Sequence, residues 1–364
     1  MSVDGRRITE EQYIREQGSA PLKNNLIRRI VRNVLGVFRN NYSIPTYADL
    51  GLPGGNDERL ALLYAKSVTA NALGELYARV LEEYLIGGMA VVRMRYRRDG
   101  NESRVFTDMV RPDSFFFNSD ATDPRGWDIT MIGEIHTLTD EQMESFTEGR
   151  NPYGGKITEI WYLKEGEWHY RFADEGDRSV REGVSPYPGR IHPYVMKAYP
   201  FIDGEIHSFV ADCIDQQRYI NRLITLNDWI IRSSAKGVLL FPEGAIPDDL
   251  ELEDIADQWS RFNGVIRYRA RTGVPMPQQV SSNTGNIGIS ELLEVQLKMM
   301  EDVSGVNSAL QGQLSSGAVS GTLYEQQTRQ ALTGLADIME GFRTFMLESA
   351  RRDVALLGLT SGLR

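Results

Sequence analysis

The chain has 364 residues, 41% hydrophobic and 25% charged, a balance that supplies a sizeable core and excludes wholesale disorder. One cysteine, Cys213, excludes an internal disulfide and any multi-cysteine zinc site, and no apolar run reaches the roughly 18 residues of a membrane-crossing helix. The net charge of −10 is opposite to that of a protein gripping duplex DNA by its phosphates, yet it suits DNA that must pass without sticking. The polar start MSVDGRRITEEQ lacks the apolar core of a signal peptide, so production in the cytoplasm is expected.

In chain order, residues 6–19 read as a short polar helix. From Leu22 to Arg39, the apolar residues Leu26, Ile27, Ile30, Val31, Val34, Leu35 and Phe38 recur at helical spacing, with arginines on the other side. Such a basic amphipathic helix packs on a neighbouring element or lies on a membrane. A second helix is predicted from an N-cap at Asp57 to about Leu85, stopped by Gly87-Gly88. MAVVRMRYRR then alternates as a strand whose Arg93, Arg95 and Arg97 share one face, turned to phosphates, to an acidic neighbour or to solvent. From Val105 to Phe209 the pattern is mainly β. A strand breaks at Pro112, a brief helix begins near Asp140, and residues 156–172 form a hairpin around Glu165-Gly166.

Ser208–Lys236 reads as a helix roughly 40 Å long. GVLLF is a strand, and an acidic stretch follows with Glu243, Asp248, Asp249, Glu251, Glu253, Asp254 and Asp257. GVIRYRARTG returns as a strand of opposite sign, pairing with the acidic stretch within one subunit or between subunits. Ser290–Val303 is a helix, residues 304–321 are small and uncharged, and Thr322–Leu357 is a helix with Gly334 and Gly341 inside it, where a bend is expected. The fold class is α+β.

Motifs for catalysis are missing: GxxxxGK[ST], GxSxG and HExxH do not occur, and the four histidines form no pair of metal-ligand spacing. No cofactor or metal is expected, and a structural rather than enzymatic role follows. A long helix pair bracketing an insert cannot bury all its faces in one small globule, which points to a subunit that packs against copies of itself.

Three segments carry a family resemblance: YPFIDGEIHSFVADCIDQQRYINRLITLNDWIIRSSAKGVLLFPEGAI, LLEVQLKMMEDVSGVNSALQGQ and SSGAVSGTLYEQQTRQALTGL. Together they resemble the portal proteins of tailed double-stranded DNA bacteriophages. The branch most resembled carries DxQ…IN on its helix, here Asp215, Gln217, Ile220 and Asn221. The resemblance implies a β-rich wing (1–207), a first stem helix (208–236), a small α/β clip (237–285) and a second stem helix (286–307). A tunnel loop (308–321) and a kinked wing helix with a minimal or truncated crown (322–364) complete it. By the same likeness, Asp215, Gln217, Arg218, Asn221, Arg222 and Trp229 are expected at stem contacts between subunits. Gln311, Gln313, Ser315, Ser316, Gly317 and Ser320 are expected to line a DNA channel, and the clip carboxylates to dock partners. The implied assembly is a ring, commonly of twelve, at one capsid vertex of the virion. Its partners are double-stranded DNA, terminase, head-completion and tail proteins, and major capsid and scaffolding proteins, with no membrane. The competing readings are another head-to-tail adaptor ring, or a metal-dependent nuclease or hydrolase using the carboxylates of 243–257.

Overall fold

The computed structural model describes residues 2–3, 6–7, 9, 12, 15, 20–50, 58–99, 102–147, 154–198, 201–202, 205–236, 238–260, 265–280, 288–306 and 333–361. Near the start the expectation of a helix from residue 6 is corrected, because Arg6–Arg7 pairs as a strand with Ser2–Val3. The helical signal begins at Thr9, whose hydroxyl accepts from the Gln12 amide while the Gln12 side chain accepts from the Thr9 amide, a reciprocal capping box.

Helix α1 spans Leu26–Asn41 and starts where the Asn25 side chain accepts the Arg28 amide at 2.9 Å, four residues after the expected Leu22. Its Leu26, Ile30, Val31, Val34 and Phe38 are buried, so the apolar face is used on protein rather than on a bilayer. The single helix expected from Asp57 to Leu85 is two, α2 (Glu58–Ala70) and α3 (Leu73–Gly87). The break falls at Ala72, whose φ of 46° is a left-handed conformation costing roughly 1–2 kcal/mol. Asn71 offsets that cost: its side chain donates to the Val105 carbonyl at 2.9 Å and accepts from the Thr107 amide at 3.0 Å. Gly88, at φ 75°, ends α3 as the glycine pair predicts.

The strands then follow: β1 (Met89–Asp99), β2 (Glu102–Met109), β3 (Phe115–Phe117) and β4 (Met131–Thr137). Helix α4 (Asp140–Thr147) precedes β5 (Lys156–Lys164), β6 (Glu167–Asp174), β7 (Ser179–Val184) and β8 (Tyr194–Ala198). Strands β3 to β7 form a five-stranded antiparallel meander, and β8, β1 and β2 form a separate three-stranded sheet in that order. The β5–β6 turn falls at Glu165-Gly166, both with positive φ, the pairing that matches strand twist in a two-residue hairpin. Gly133 is required in β4: a Cβ there would stand 2.2 Å from the Glu159 carbonyl.

Beyond them come α5 (Ile214–Lys236), β9 (Val238–Leu240), α6 (Leu252–Ser260), β10 (Gln278–Val280), α7 (Ile289–Ser304) and α8 (Ala336–Ser361). Helix α5 begins six residues after the expected Ser208, because a 3-10 turn at Ala211–Cys213 precedes it. The second strand of the insert is also corrected. Residues 265–271 form no ladder, and β9 pairs antiparallel with Gln278–Val280.

The described chain divides into two compact units. One comprises residues 1–24 and 215–300, the other residues 25–214 and 301–364. In the larger unit, a first core forms where Phe342 of α8 meets Phe38 of α1 at 5.4 Å and Tyr84 of α3 at 5.8 Å, ring to ring. A second lies where Val91, Tyr194 and Met196 of one sheet meet Phe115, Ile132 and Trp161 of the other. The helical run is interrupted at Leu335, beside Gly334, but continues unbroken through Gly341. At Gly341 the missing side chain admits a neighbour instead, since a Cβ would lie 2.9 Å from the Tyr84 hydroxyl.

Helix α8 also buries an acid. The Asp353 carboxyl accepts from the Ser67 hydroxyl at 2.7 Å, its other oxygen has no partner among the described residues, and burial pushes its pKa up to about 7. A carboxyl raised in the folded state costs nothing below about pH 4, where both states are protonated. Stability then falls by roughly 1.4 kcal/mol per pH unit until about pH 7. Urea unfolding of Asp353→Asn should show a flatter pH profile and greater stability than the parent at pH 8. Parallel profiles would refute this reading.

Candidate functional site

In the smaller unit, Gln217, Ile220 and Asn221 of the DxQ…IN set face inward on their own chain, and Asp215 does not. The Gln217 side chain donates to the Asn24 carbonyl at 2.5 Å and to the Asn221 side chain at 3.1 Å. Asn221 accepts the Asn24 amide at 3.0 Å, and Thr225 accepts the Leu22 amide at 3.2 Å. One polar face of α5 therefore pins the segment Leu22–Asn24, so Gln217 and Asn221 are engaged within the subunit. Asp215 and Arg218 pair at 3.1 Å on the exposed surface, and Arg222 is exposed. Trp229 lies on α5, with its side chain outside the described residues.

The insert resolves the question of its opposite charges. Arg267 pairs with Asp249 and Arg269 with Asp248, and Arg271 reaches Asp248 at 3.5 Å. Three arginines and two aspartates thus pair within one subunit, all exposed, so each pair is worth little alone. Asp254 is used locally, accepting the Glu251 amide at 2.9 Å at the start of α6. Glu243, Glu251, Glu253 and Asp257 are exposed as well. Among the described residues, no group of three metal-ligating side chains falls in 243–257. The channel residues named above, Gln311 through Ser320, lie outside the described residues.

Apolar exposure is concentrated in this unit and its helices. On α7, Leu292, Val295 and Met299 follow one another at i, i+3 and i+7, a single stripe, and are 37%, 53% and 41% exposed. Leu240, Leu252, Val265, Met276 and Val280 of the insert are exposed too. Against these, the described buried apolar residues of the unit are Ile220, Leu223, Ala245, Ile255 and Met300.

In the larger unit, a charged cluster escaped the sequence reading. Glu134 on β4 and Glu159 on β5 are direct cross-strand neighbours, a repulsive arrangement on its own. Arg93 from β1, in the other sheet, sends one nitrogen between them: Nη1 is 3.1 Å from Glu134, 3.4 Å from Glu159 and 3.5 Å from His136. The three ligand atoms lie within 4.8 Å of one another, close enough to hold a metal ion, but the guanidinium takes the central place. Burial pushes Glu159 up, yet hydrogen bonds from His136 and Trp161, with the attraction of Arg93, bring its carboxyl below the ordinary range. For Glu134, burial outweighs Arg93 and His136, and the carboxyl stays above it. The basic row on β1 is therefore neutralised internally at two positions, since Arg95 also pairs with Asp108 at 2.6 Å. The advance signal was the alternating row Arg93, Arg95 and Arg97 on β1, which gives the charge but not the carboxylates that meet it.

The phage P22-like portal protein family matches residues 156–356, which is 201 of 364 residues and more than half of the chain. The chain belongs to this family. No curated protein matches it. The match runs from β5 through α5, the insert and α7 into α8, so all three resembling segments fall inside it. Portal proteins are structural, and no helix among the described residues of this family member is long and apolar enough to cross a membrane.

The Arg93 bridge in this portal-family chain predicts a specific defect. Arg93→Met should cost about 3 kcal/mol by leaving two half-buried carboxylates uncompensated. The deficit should shrink as the pH falls and those carboxylates, both raised once Arg93 is gone, take up protons. Equal denaturation midpoints for variant and parent at pH 7 would show that the bridge carries no stability.

Proposed function

We propose that the chain is the subunit of a portal ring of twelve copies at one capsid vertex, through which the double-stranded genome is packaged and ejected. The carrying observation is the apolar stripe on α7, Leu292, Val295 and Met299, about half exposed on the single chain. Such a stripe gains about 25 cal/mol per Å² when covered. In a ring it is covered by a sister copy, through a heterologous contact that closes by rotation. The thin core of the smaller unit supports the same reading, because so few buried side chains give an isolated globule little reason to stay ordered.

In this reading α5 and α7 are the stem helices, 237–285 the clip and 308–321 the tunnel loop. The wing is 1–207, and 322–364 holds the kinked wing helix. Asp215 and Arg218, exposed on α5, take the inter-subunit role, while Gln217 and Asn221 hold the amino-terminal segment in place. Gln311, Gln313, Ser315, Ser316, Gly317 and Ser320 present uncharged groups to passing DNA. A subunit of charge −10, repeated around a channel, offers the phosphates no counterion-release energy, so the duplex slides. Terminase, and later head-completion and tail proteins, dock on the clip, while capsid and scaffolding proteins surround the ring. Because Asp248 and Asp249 are already paired with arginines, exposed clip carboxylates such as Glu243, Glu251 and Glu253 meet the partner.

Two outcomes test this. Native mass spectrometry of the purified chain should show a closed ring, and Val295→Glu should give folded monomers with unchanged circular dichroism; persistence of rings in that variant would remove the stripe from the interface. Replacing Glu251 and Glu253 with arginine should weaken terminase binding at least tenfold at low salt while rings form normally. Undiminished binding would take the docking face elsewhere.

A further inference from the structure

Within the larger unit, α8 carries two consecutive arginines, Arg351 and Arg352, to the wall of a cavity of about 580 Å³. Arg125 and Trp127 stand on the same wall, and Leu163, Trp168 and Met196 supply apolar surface. The three cations are not equivalent. Arg125 pairs with Asp123 at 2.8 Å and lies over the Trp127 ring at 3.7 Å. Arg351 pairs with Glu348 at 2.6 Å. Arg352 has no carboxylate within ion-pair distance among the described residues. One of its nitrogens donates to the His192 carbonyl at 2.9 Å, and four of its five N–H donors are left over.

Its surroundings make this costly. Arg352 is half-buried, and burial lowers its pKa against only the distant attraction of Glu348, a carboxylate already bonded to Arg351. The neighbouring imidazole brings no help or competition: His192 packs against Trp168 at 4.6 Å, and burial holds its pKa down to about 3, so the ring is neutral. A half-buried cation without a counter-charge is a penalty that an incoming anion relieves.

We propose that this cavity is a binding site for a carboxylate carried on an apolar body, with Arg352 gripping both carboxylate oxygens and the body lying against Trp127 and Trp168. A planar guanidinium fork matches a carboxylate in two parallel hydrogen bonds. The one uncompensated positive charge matches a singly charged carboxylate better than a dianionic phosphate. Exposed Trp127, with two-thirds of its surface accessible, supplies a ready apolar face at the mouth.

The test is thermal denaturation of the full chain at fixed ionic strength, titrated separately with 3-phenylpropionate, its neutral amide, N-acetyl-Leu-Glu-amide and inorganic phosphate. The expected result is a saturable rise in Tm with either carboxylate, the stronger of the two naming a free acid or a protein-borne side chain as its source, and no rise with the amide. In Arg352→Gln the rise should vanish, and in Arg352→Lys, which keeps the charge and the fold, the titration midpoint should weaken at least tenfold. A rise with phosphate equal to that with carboxylate, a rise surviving in Arg352→Gln, an unweakened midpoint in Arg352→Lys, or no rise in the parent would overturn the assignment.

Discussion

The larger unit is held in register by one guanidinium. Two sheets share a core, and sheets that meet through apolar contacts alone can slide, because hydrophobic attraction has no direction. Arg93 removes that freedom. It reaches from β1 into the space between Glu134 and Glu159, and those two carboxylates would repel one another without it. Trp161 and His136 complete the shell by donating to Glu159 at 2.6 and 2.8 Å. A network of this kind adds little net free energy over a well-packed apolar core, but each member is expensive to remove, so it specifies one arrangement.

The two units solve the problem of burial differently. The larger one encloses its own aromatic side chains, with Tyr77, Tyr84, Tyr194, Phe342 and Phe345 almost wholly buried. Its elements pack against one another and close. The smaller one leaves its apolar residues outside, on α7 and along the insert, and secures itself with polar contacts: a hydrogen-bonded segment on α5 and arginine–aspartate pairs in the insert. Exposed ion pairs are weak and salt-screened. A unit of this composition is stable when copies of it cover one another, and that is the physical link between the fold and an assembled ring.

Features decided by neighbours in sequence were legible in advance. The β5–β6 hairpin follows from a two-residue turn between alternating runs, the end of α3 from a glycine pair, and the buried face of α1 from its helical spacing. Features decided across the chain were not. Nothing local in KSVTANALGEL shows that Asn71 bonds Val105 and Thr107, and that bond breaks the helix. The alternation of GVIRYRARTG satisfies a strand pattern, but its arginines are drawn to Asp248 and Asp249, and the ladder goes to Gln278–Val280 instead. The arginine row of β1 posed the same difficulty, since sequence alone gives its charge and period but not the carboxylates that meet it.

Placement of charge, more than its amount, separates the surfaces of this molecule by role. Most arginines near a carboxylate in sequence or register are already matched, as at Arg95, Arg125, Arg267 and Arg351. Matched cations contribute little to the field felt by a distant polyanion, so in the proposed role the net charge of −10 would govern how the subunit meets DNA. Repulsion from phosphate is long-ranged only to about a Debye length, near 8 Å at physiological salt. A channel much wider than a duplex would therefore feel its wall weakly, and one that fits closely would feel it at every step. In the proposed ring, an uncharged loop would suit the close fit, because it would meet the duplex without adding either attraction that would hold the DNA or repulsion that would stop it from entering.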